Sequence, residues 1–207
     1  TIYQLVELFE TGRMRRQRAL PARPLRSPMS LINAKEAILA AATRTAQAHG
    51  YAGLNFRELG AEVGIKSASI HYHFPTKADL GVAVARRYWE DTSAVLDGIA
   101  EAEGDPVASL RRYPEIFRQS LERENRMCLC SFMAAEYDDL PDPVKVEVQT
   151  FTDVNVAWLV KMLLAAKRVG ADGAEARARA IFAAVAGAQL VARSRADLSL
   201  FDTLIVN

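Results

Sequence analysis

The sequence predicts an all-α protein, with short helices near the N-terminus and long ones after them. Three observations predict it. From Asn33 onward apolar residues recur at helical spacing, no alternating strand pattern of useful length interrupts them, and Gly50, Gly64, Pro75 and Pro106 fall at the boundaries between periodic runs.

Asn33 is the expected N-cap of a first helix over 34–48, with Ile38, Ala41, Ala42, Thr45 and Ala46 along one face and Gly50 just past its end. Asn55 caps a second, short helix through Val63, whose buried side carries Phe56, Leu59 and Val63. Gly64 then takes the left-handed turn. A third helix begins at Lys66 or Ser67 and stops before Pro75, because the proline ring disfavours helix at the residue preceding it. Pro75 with Thr76 opens a longer helix through about residue 99, and Pro106 opens the next, through about residue 124. Further helices are expected over 127–138, 143–169 and 174–194.

A chain of 207 residues that is 50% apolar holds a sizeable core. No apolar run reaches the roughly 20 residues of a membrane span, and the start lacks the pattern of a secretory signal, so the expected location is cytoplasmic. Cys128 and Cys130 are too close for a structural disulfide, which suits a reducing compartment. The formal charge of +1 hides an asymmetry. Residues 1–80 carry 11 basic and 6 acidic side chains, residues 81–207 carry 15 and 19, so the basic end points to a polyanion. Most of the excess lies in Arg13, Arg15, Arg16, Arg18, Arg23 and Arg26, in an N-terminal extension over 1–32 that is set apart from the folded parts. Met14 and Met29 are alternative starts within it; the segment reads as a disordered or non-native leader, or else as an arginine arm suited to a DNA minor groove.

A short helix, a turn with glycine and a second short helix make the outline of a helix-turn-helix, whose second helix enters the major groove. The stretch AILAAATRTAQAHGYAGLNFRELGAEVGIKSASIHYHFPTKADL resembles the N-terminal domain of TetR-family transcriptional regulators. The marks are the AILAAA start, HGY closing the first helix, the R-x-L-small-x-x-x-G of the second, the Tyr-x-Phe ending of the third, and PTK before the fourth. The resemblance implies a DNA-binding domain over 33–80 and an effector-binding and dimerisation domain over 81–207. It assigns Arg57 to DNA, Ser67, Ala68 and Ser69 to the leading end of the recognition helix, His71, Tyr72 and His73 to the phosphate grip, and Lys77 to the start of helix four. The sequence departs from the family at Lys66, where many members have a capping serine, and at His71, where many have tyrosine. On chemistry alone, hydroxyls, imidazole and backbone N–H groups hold phosphates, while Ser69, Lys66 and Arg57 reach base edges. A metal site at His71 and His73 is not expected: the two diverge on a helix, and no Cys, Asp or Glu completes the set. No cofactor is expected.

The partner is expected to be double-stranded DNA carrying a palindromic operator, bound by a homodimer whose half-sites lie about 34 to 36 Å apart. In this family the last two long helices build a four-helix bundle with the partner's pair, which implicates residues near 143–168 or 174–205 and, on the last long helix, Ile181, Phe182, Val185, Ala188, Gln189 and Ala192. The family also implies a small-molecule or reactive effector bound between helices four to seven, where the apolar candidates are Trp89, Tyr113, Phe117, Met127, Phe132, Met133, Tyr137 and Trp158. The motif MCLCSFMAAEYDDLP resembles a subset related to the N-ethylmaleimide-responsive repressor, in which the cysteine at the place of Cys128 senses electrophiles. Arg123, Arg126 and a helix N-terminus would favour its thiolate.

The reading is therefore a DNA-binding regulator, and a repressor in the usual family mode, with helix four as the lever between effector and DNA. Two other classes compete with it: an all-α ligand-binding dimer without DNA binding, and a small enzyme. Against the enzyme, the chain has no Gly-rich phosphate loop, nucleophile elbow or HExxH, and its three histidines lack evident carboxylate partners.

Overall fold

The structure, a computed structural model, describes residues 31–206; the arginine-rich extension before Leu31 lies outside them. Those residues form ten α-helices and one 3-10 turn, with no strand among them. The first four are α1 (Leu31–His49), α2 (Phe56–Val63), α3 (Ser67–His73) and α4 (Lys77–Glu103). They are followed by α5 (Pro106–Arg112), α6 (Glu115–Glu122), α7 (Leu129–Ala135), a 3-10 turn (Tyr137–Asp139), α8 (Asp142–Ala165), α9 (Ala171–Arg195) and α10 (Leu198–Val206).

Local chemistry sets most of the boundaries. Asn55 Oδ1 accepts the Arg57 N–H at 2.9 Å and starts α2, and Gly64 ends it at φ 77. Thr76 and Asp79 form a reciprocal capping box at the start of α4, with the Asp79 N–H donating to Thr76 Oγ1 at 3.1 Å and the Thr76 N–H to Asp79 Oδ2 at 2.9 Å. Asp105 caps α5 through the Ala108 N–H at 2.7 Å, with Pro106 at the first helical position.

Several boundaries differ from expectation. The first helix is already formed at Leu31, the first described residue, so Asn33 lies exposed within it rather than before its start. Helix α4 continues to Glu103 and stops at Gly104, left-handed at φ 60. The single helix expected over 106–124 is two, because Pro114 has no N–H to continue α5 and instead starts α6. The helix expected over 127–138 is only Leu129–Ala135 followed by the 3-10 turn, and α10 follows a left-handed break at Ala196.

The apolar core is continuous from Ile38 and Ala42 in α1, through Leu59, Ile70 and Phe74, to Leu80 and Val84 of α4, and on to Phe117, Leu129, Leu159 and Phe201. Helix α4 lies along α8, α8 along α9, and α10 folds back on α9. This leaves α2 and α3 packed on each other and on α1, which in turn packs on α4.

Candidate functional site

Helices α2 and α3 meet through a turn with no spare room. A Cβ on Gly60 would come within 2.9 Å of Ile65 O, so the glycine permits the close approach that sets the angle between the two helices. Below the turn, Ile70 is fully buried and Phe74 nearly so. The opposite face of α3 is bare.

On that face lie Lys66, Ala68, Ser69, His71 and Tyr72, all exposed, with Tyr72 at 71%. Arg57 is exposed at the start of α2. Lys66, Ala68, Ser69, Tyr72 and the half-buried His73 line one open groove, together with Ala34 and Ile65. Ser67 is half-buried, and its hydroxyl donates to Phe56 O at 3.5 Å, on the edge of hydrogen-bonding distance. The Lys66 side chain makes no capping bond, so the departure from a capping serine leaves its ammonium to the surface. The His71 ring stacks edge-on against Phe56 at 4.6 Å, and its Nδ1–H donates to Pro75 O at 3.2 Å. That bond and the Phe56 contact hold the ring of an otherwise exposed residue. No group of three or more His, Cys, Asp or Glu able to hold a metal occurs among the described residues.

Lys77 is placed differently from the rest. Its Nζ donates to Ala52 O at 3.0 Å and lies 4.7 Å from the centre of the Tyr51 ring, so its charge is anchored on the α1–α2 turn. The same turn receives a side chain that the sequence reading missed. Glu136, just past α7, accepts the Tyr51 N–H at 2.6 Å and the Ala52 N–H at 3.2 Å. Gly50 is left-handed at φ 67, and a Cβ there would overlap the Glu136 carboxylate.

The aromatic candidates for an effector site fall into two groups. Tyr113, Phe117, Met127, Met133 and Trp158 are buried, and Trp89 and Phe132 are half-buried. Tyr137 is not among them: it is half exposed on the 3-10 turn, with Lys145 Nζ over its ring at 4.7 Å. Trp89 Nε1–H donates to Glu147 Oε2 at 2.8 Å, and Arg86 Nε donates to the other carboxylate oxygen at 3.2 Å, clamping α4 to α8. Burial pushes the Glu147 carboxyl up, but the hydrogen bonds from Arg86 and Trp89 and the Arg86 charge outweigh it and hold the group below its ordinary value.

Two further expectations are corrected. Cys128 is 2% exposed, and burial pushes its thiol up against the pull of hydrogen bonds with Ser131 and Tyr88, opposite to the direction expected from Arg123, Arg126 and a helix N-terminus. The residues expected at a dimer interface face inward. Val185, Ala188, Gln189 and Ala192 are buried within the chain, and Phe182 packs between Phe117 and Phe151, with Ile181 also half-buried against the core. Gln189 is fully buried and ties two backbone segments together, since its Oε1 accepts the Cys128 N–H at 3.0 Å and its Nε2 donates to Phe117 O at 2.7 Å. The outward face of α9 carries Ala183, Ala184, Gly187, Leu190 and Val191 instead.

Residues 38–84 match the family described as bacterial regulatory proteins, tetR family. Over 83% of this chain and 92% of the other, the fold and sequence are similar to a TetR transcriptional regulator from Legionella pneumophila, at 30% identity and a TM-score of 0.78. The chain belongs to the TetR family of transcriptional regulators. A TetR-family regulator from Agrobacterium tumefaciens is similar at 27% identity and a TM-score of 0.79, covering 85% of this chain and 95% of that one. The HTH-type transcriptional regulator LmrA of Bacillus subtilis is 31% identical over 86 residues, which is 41% of this chain and 46% of that protein. The reduced form of E. coli NemR shares the fold at 20% identity, with a TM-score of 0.74 over 84% of this chain and 94% of that one.

In this TetR-family chain the helix-turn-helix was legible because its caps and glycines are local signals. Glu136 and Gln189 were not, since their partners lie 85 and 61 residues away. A polar residue interrupting an apolar stripe was the one hint for Gln189. Among the described residues no helix is long and apolar enough to cross a membrane.

Proposed function

We propose that this TetR-family regulator represses transcription as a homodimer on a palindromic operator and leaves the DNA when a small molecule binds among helices α4 to α8. The observation that carries the reading is the bare face of α3. Five side chains are exposed there on a helix whose other face is locked into the core, the arrangement a major groove accepts. Ala68 and Ser69 let the helix backbone approach closely, Lys66 and Arg57 supply charge and base-edge donors, and Tyr72, His71 and His73 grip phosphates. Lys77 acts from its anchored position by holding the α1–α2 turn against α4. This is the work of a cytoplasmic protein at the nucleoid.

A second copy is the occupant proposed for the outward face of α8 and α9. Leu190, Val191 and Leu164 are 54%, 45% and 40% exposed, and a Cβ on Gly187 would meet nothing within 4 Å of its own chain. A glycine unexplained within the protomer, beside exposed leucines, suits the close approach of a partner helix. Effector coupling runs by two routes, α4 itself and α7, which leads from the Gln189–Cys128 contact to the Glu136 carboxylate. Burial of Cys128 supports a reversibly bound effector over thiol chemistry as the trigger.

The test is selection of bound duplexes from a random pool, followed by a salt titration of the selected and a random duplex. Enrichment of an inverted repeat and a steep salt slope on both duplexes are expected, with tighter binding to the selected one. A salt-insensitive protein that enriches nothing would remove the regulator reading and leave a ligand-binding dimer.

A further inference from the structure

Among the described residues, one buried side-chain polar atom lacks any hydrogen-bond partner: Trp158 Nε1. The ring is 6% exposed, so the donor is shielded from bulk solvent. Buried indole N–H groups are ordinarily satisfied, which makes this one a donor in want of an acceptor.

Its surroundings restrict what that acceptor can belong to. Trp158 stacks on Tyr113 with ring centres 5.8 Å apart and planes at 21°. From Tyr113 the rings continue without a break through Phe117, Phe182 and Phe151 to Tyr88, at centre separations between 5.6 and 6.2 Å. Several polar groups beside this ladder are already committed. The Tyr113 hydroxyl donates to Asn155 Oδ1 at 2.9 Å, Asn155 Nδ2 donates to Phe151 O at 2.8 Å, and both ends of Gln189 are used. Glu147, the charged residue buried beside α4, is neutralised by Arg86 and held by Trp89. The Arg86–Glu147 pair is closed on itself and offers no free counter-ion, so a charged ligand buried against this ladder would bear a heavy desolvation cost.

We propose that the effector is a neutral, planar carbonyl compound whose ring enters the aromatic ladder beside Tyr113 and whose oxygen accepts the Trp158 Nε1–H. This rests on the effector reading above and gives it a ligand class. Aromatic ketones, quinones and unsaturated lactones share the chemistry. Tyr113 is fully buried, so the stack opens to admit the ligand. The residue stands at the break between α5 and α6, where its N–H is shared between Ser109 O at 3.1 Å and Leu110 O at 3.3 Å, and Pro114 follows with none. Moving Tyr113 there shifts α5 against α4 and α8, the helices it packs on, and so links occupancy to the lever that carries α3.

The experiment titrates the full chain with three probes of matched size: acetophenone, ethylbenzene and benzoate. Acetophenone should bind about tenfold more tightly than ethylbenzene, the difference made by one hydrogen bond to a buried donor, and benzoate should bind least. In Trp158→Phe the ring remains but the donor is gone, and acetophenone should fall to the affinity of ethylbenzene. A second readout serves if that variant does not fold: in the wild-type protein, acetophenone but not ethylbenzene should shift the Trp158 indole N–H proton resonance downfield. Equal affinity for acetophenone and ethylbenzene, a preference that survives Trp158→Phe, or an unmoved indole resonance would overturn the proposal. Release from duplex DNA is scored separately. Binding with the expected Trp158 dependence but without release sinks the effector reading and leaves the ligand class standing.

Discussion

The carboxylate of Glu136 accepts the backbone N–H of Tyr51 at 2.6 Å, joining the end of α7 to the turn between α1 and α2 across 85 residues of sequence. Both of its oxygens are used, the second by the Ala52 N–H, and Lys77 holds the opposite side of the same turn through Ala52 O. The helix-turn-helix is therefore clamped from α7 and from α4 at one point.

Glu136→Ala should destabilise the protein by about 1 to 3 kcal/mol, because two N–H groups lose a charged acceptor. Glu136→Gln keeps one acceptor oxygen and should cost less. Gly50→Ala should be at least as damaging as Glu136→Ala, since it combines a left-handed backbone with overlap on the carboxylate. Denaturant midpoints order the three variants, and operator affinity measured alongside reports whether the clamp also sets the pose of α3.

Gln189 should behave as a core residue. Gln189→Leu removes the partners of both Cys128 N–H and Phe117 O, and a loss of about 2 to 4 kcal/mol is expected. Sedimentation should show the folded fraction still dimeric, in contrast to a substitution on the outer face.

Leu190→Glu tests that outer face. The side chain is 54% exposed in the protomer, so the change should cost the protomer fold little, within about 0.5 kcal/mol. It should, however, produce monomers at micromolar concentration and abolish tight binding to a palindromic duplex. Unaltered sedimentation would move the dimer interface elsewhere.

Acid should loosen the α4–α8 clamp. The folded Glu147 carboxyl sits below its ordinary value of 4.5, so the unfolded chain binds the proton first. The stabilisation is therefore complete at neutral pH, and it is lost as pH falls through the unfolded value and then through the lower folded one. Stability measured across that range should fall with acid in the wild-type protein, and Glu147→Gln should flatten the part of the slope that this group contributes.

The native protein should react slowly with a maleimide at Cys128, at a rate set by transient opening rather than by an accessible thiolate, and fast labelling should require denaturant. Cys128→Ser should leave operator binding intact. Rapid native labelling that releases DNA would restore the thiol-sensor reading.

By itself the sequence determined the all-helical class, the position of the helix-turn-helix and the residues on its bare face. Asn55, Gly64, the Pro75–Thr76 pair and Pro106 act on backbone groups within four residues, so their effect can be read without knowing what packs against them. Periodicity says that a stripe is apolar; it does not say what covers it. Helix α9 is rich in alanine on all sides, so the stripe bearing Val185, Ala188 and Ala192 looked as suitable for a partner as for the chain's own core. Tertiary packing decided that α8 and α6 take that stripe and leave Gly187 and Leu190 outside. The same holds for the anchored Lys77, the buried Cys128, the Glu136 bridge and the unpaired Trp158 donor, each set by neighbours distant in sequence.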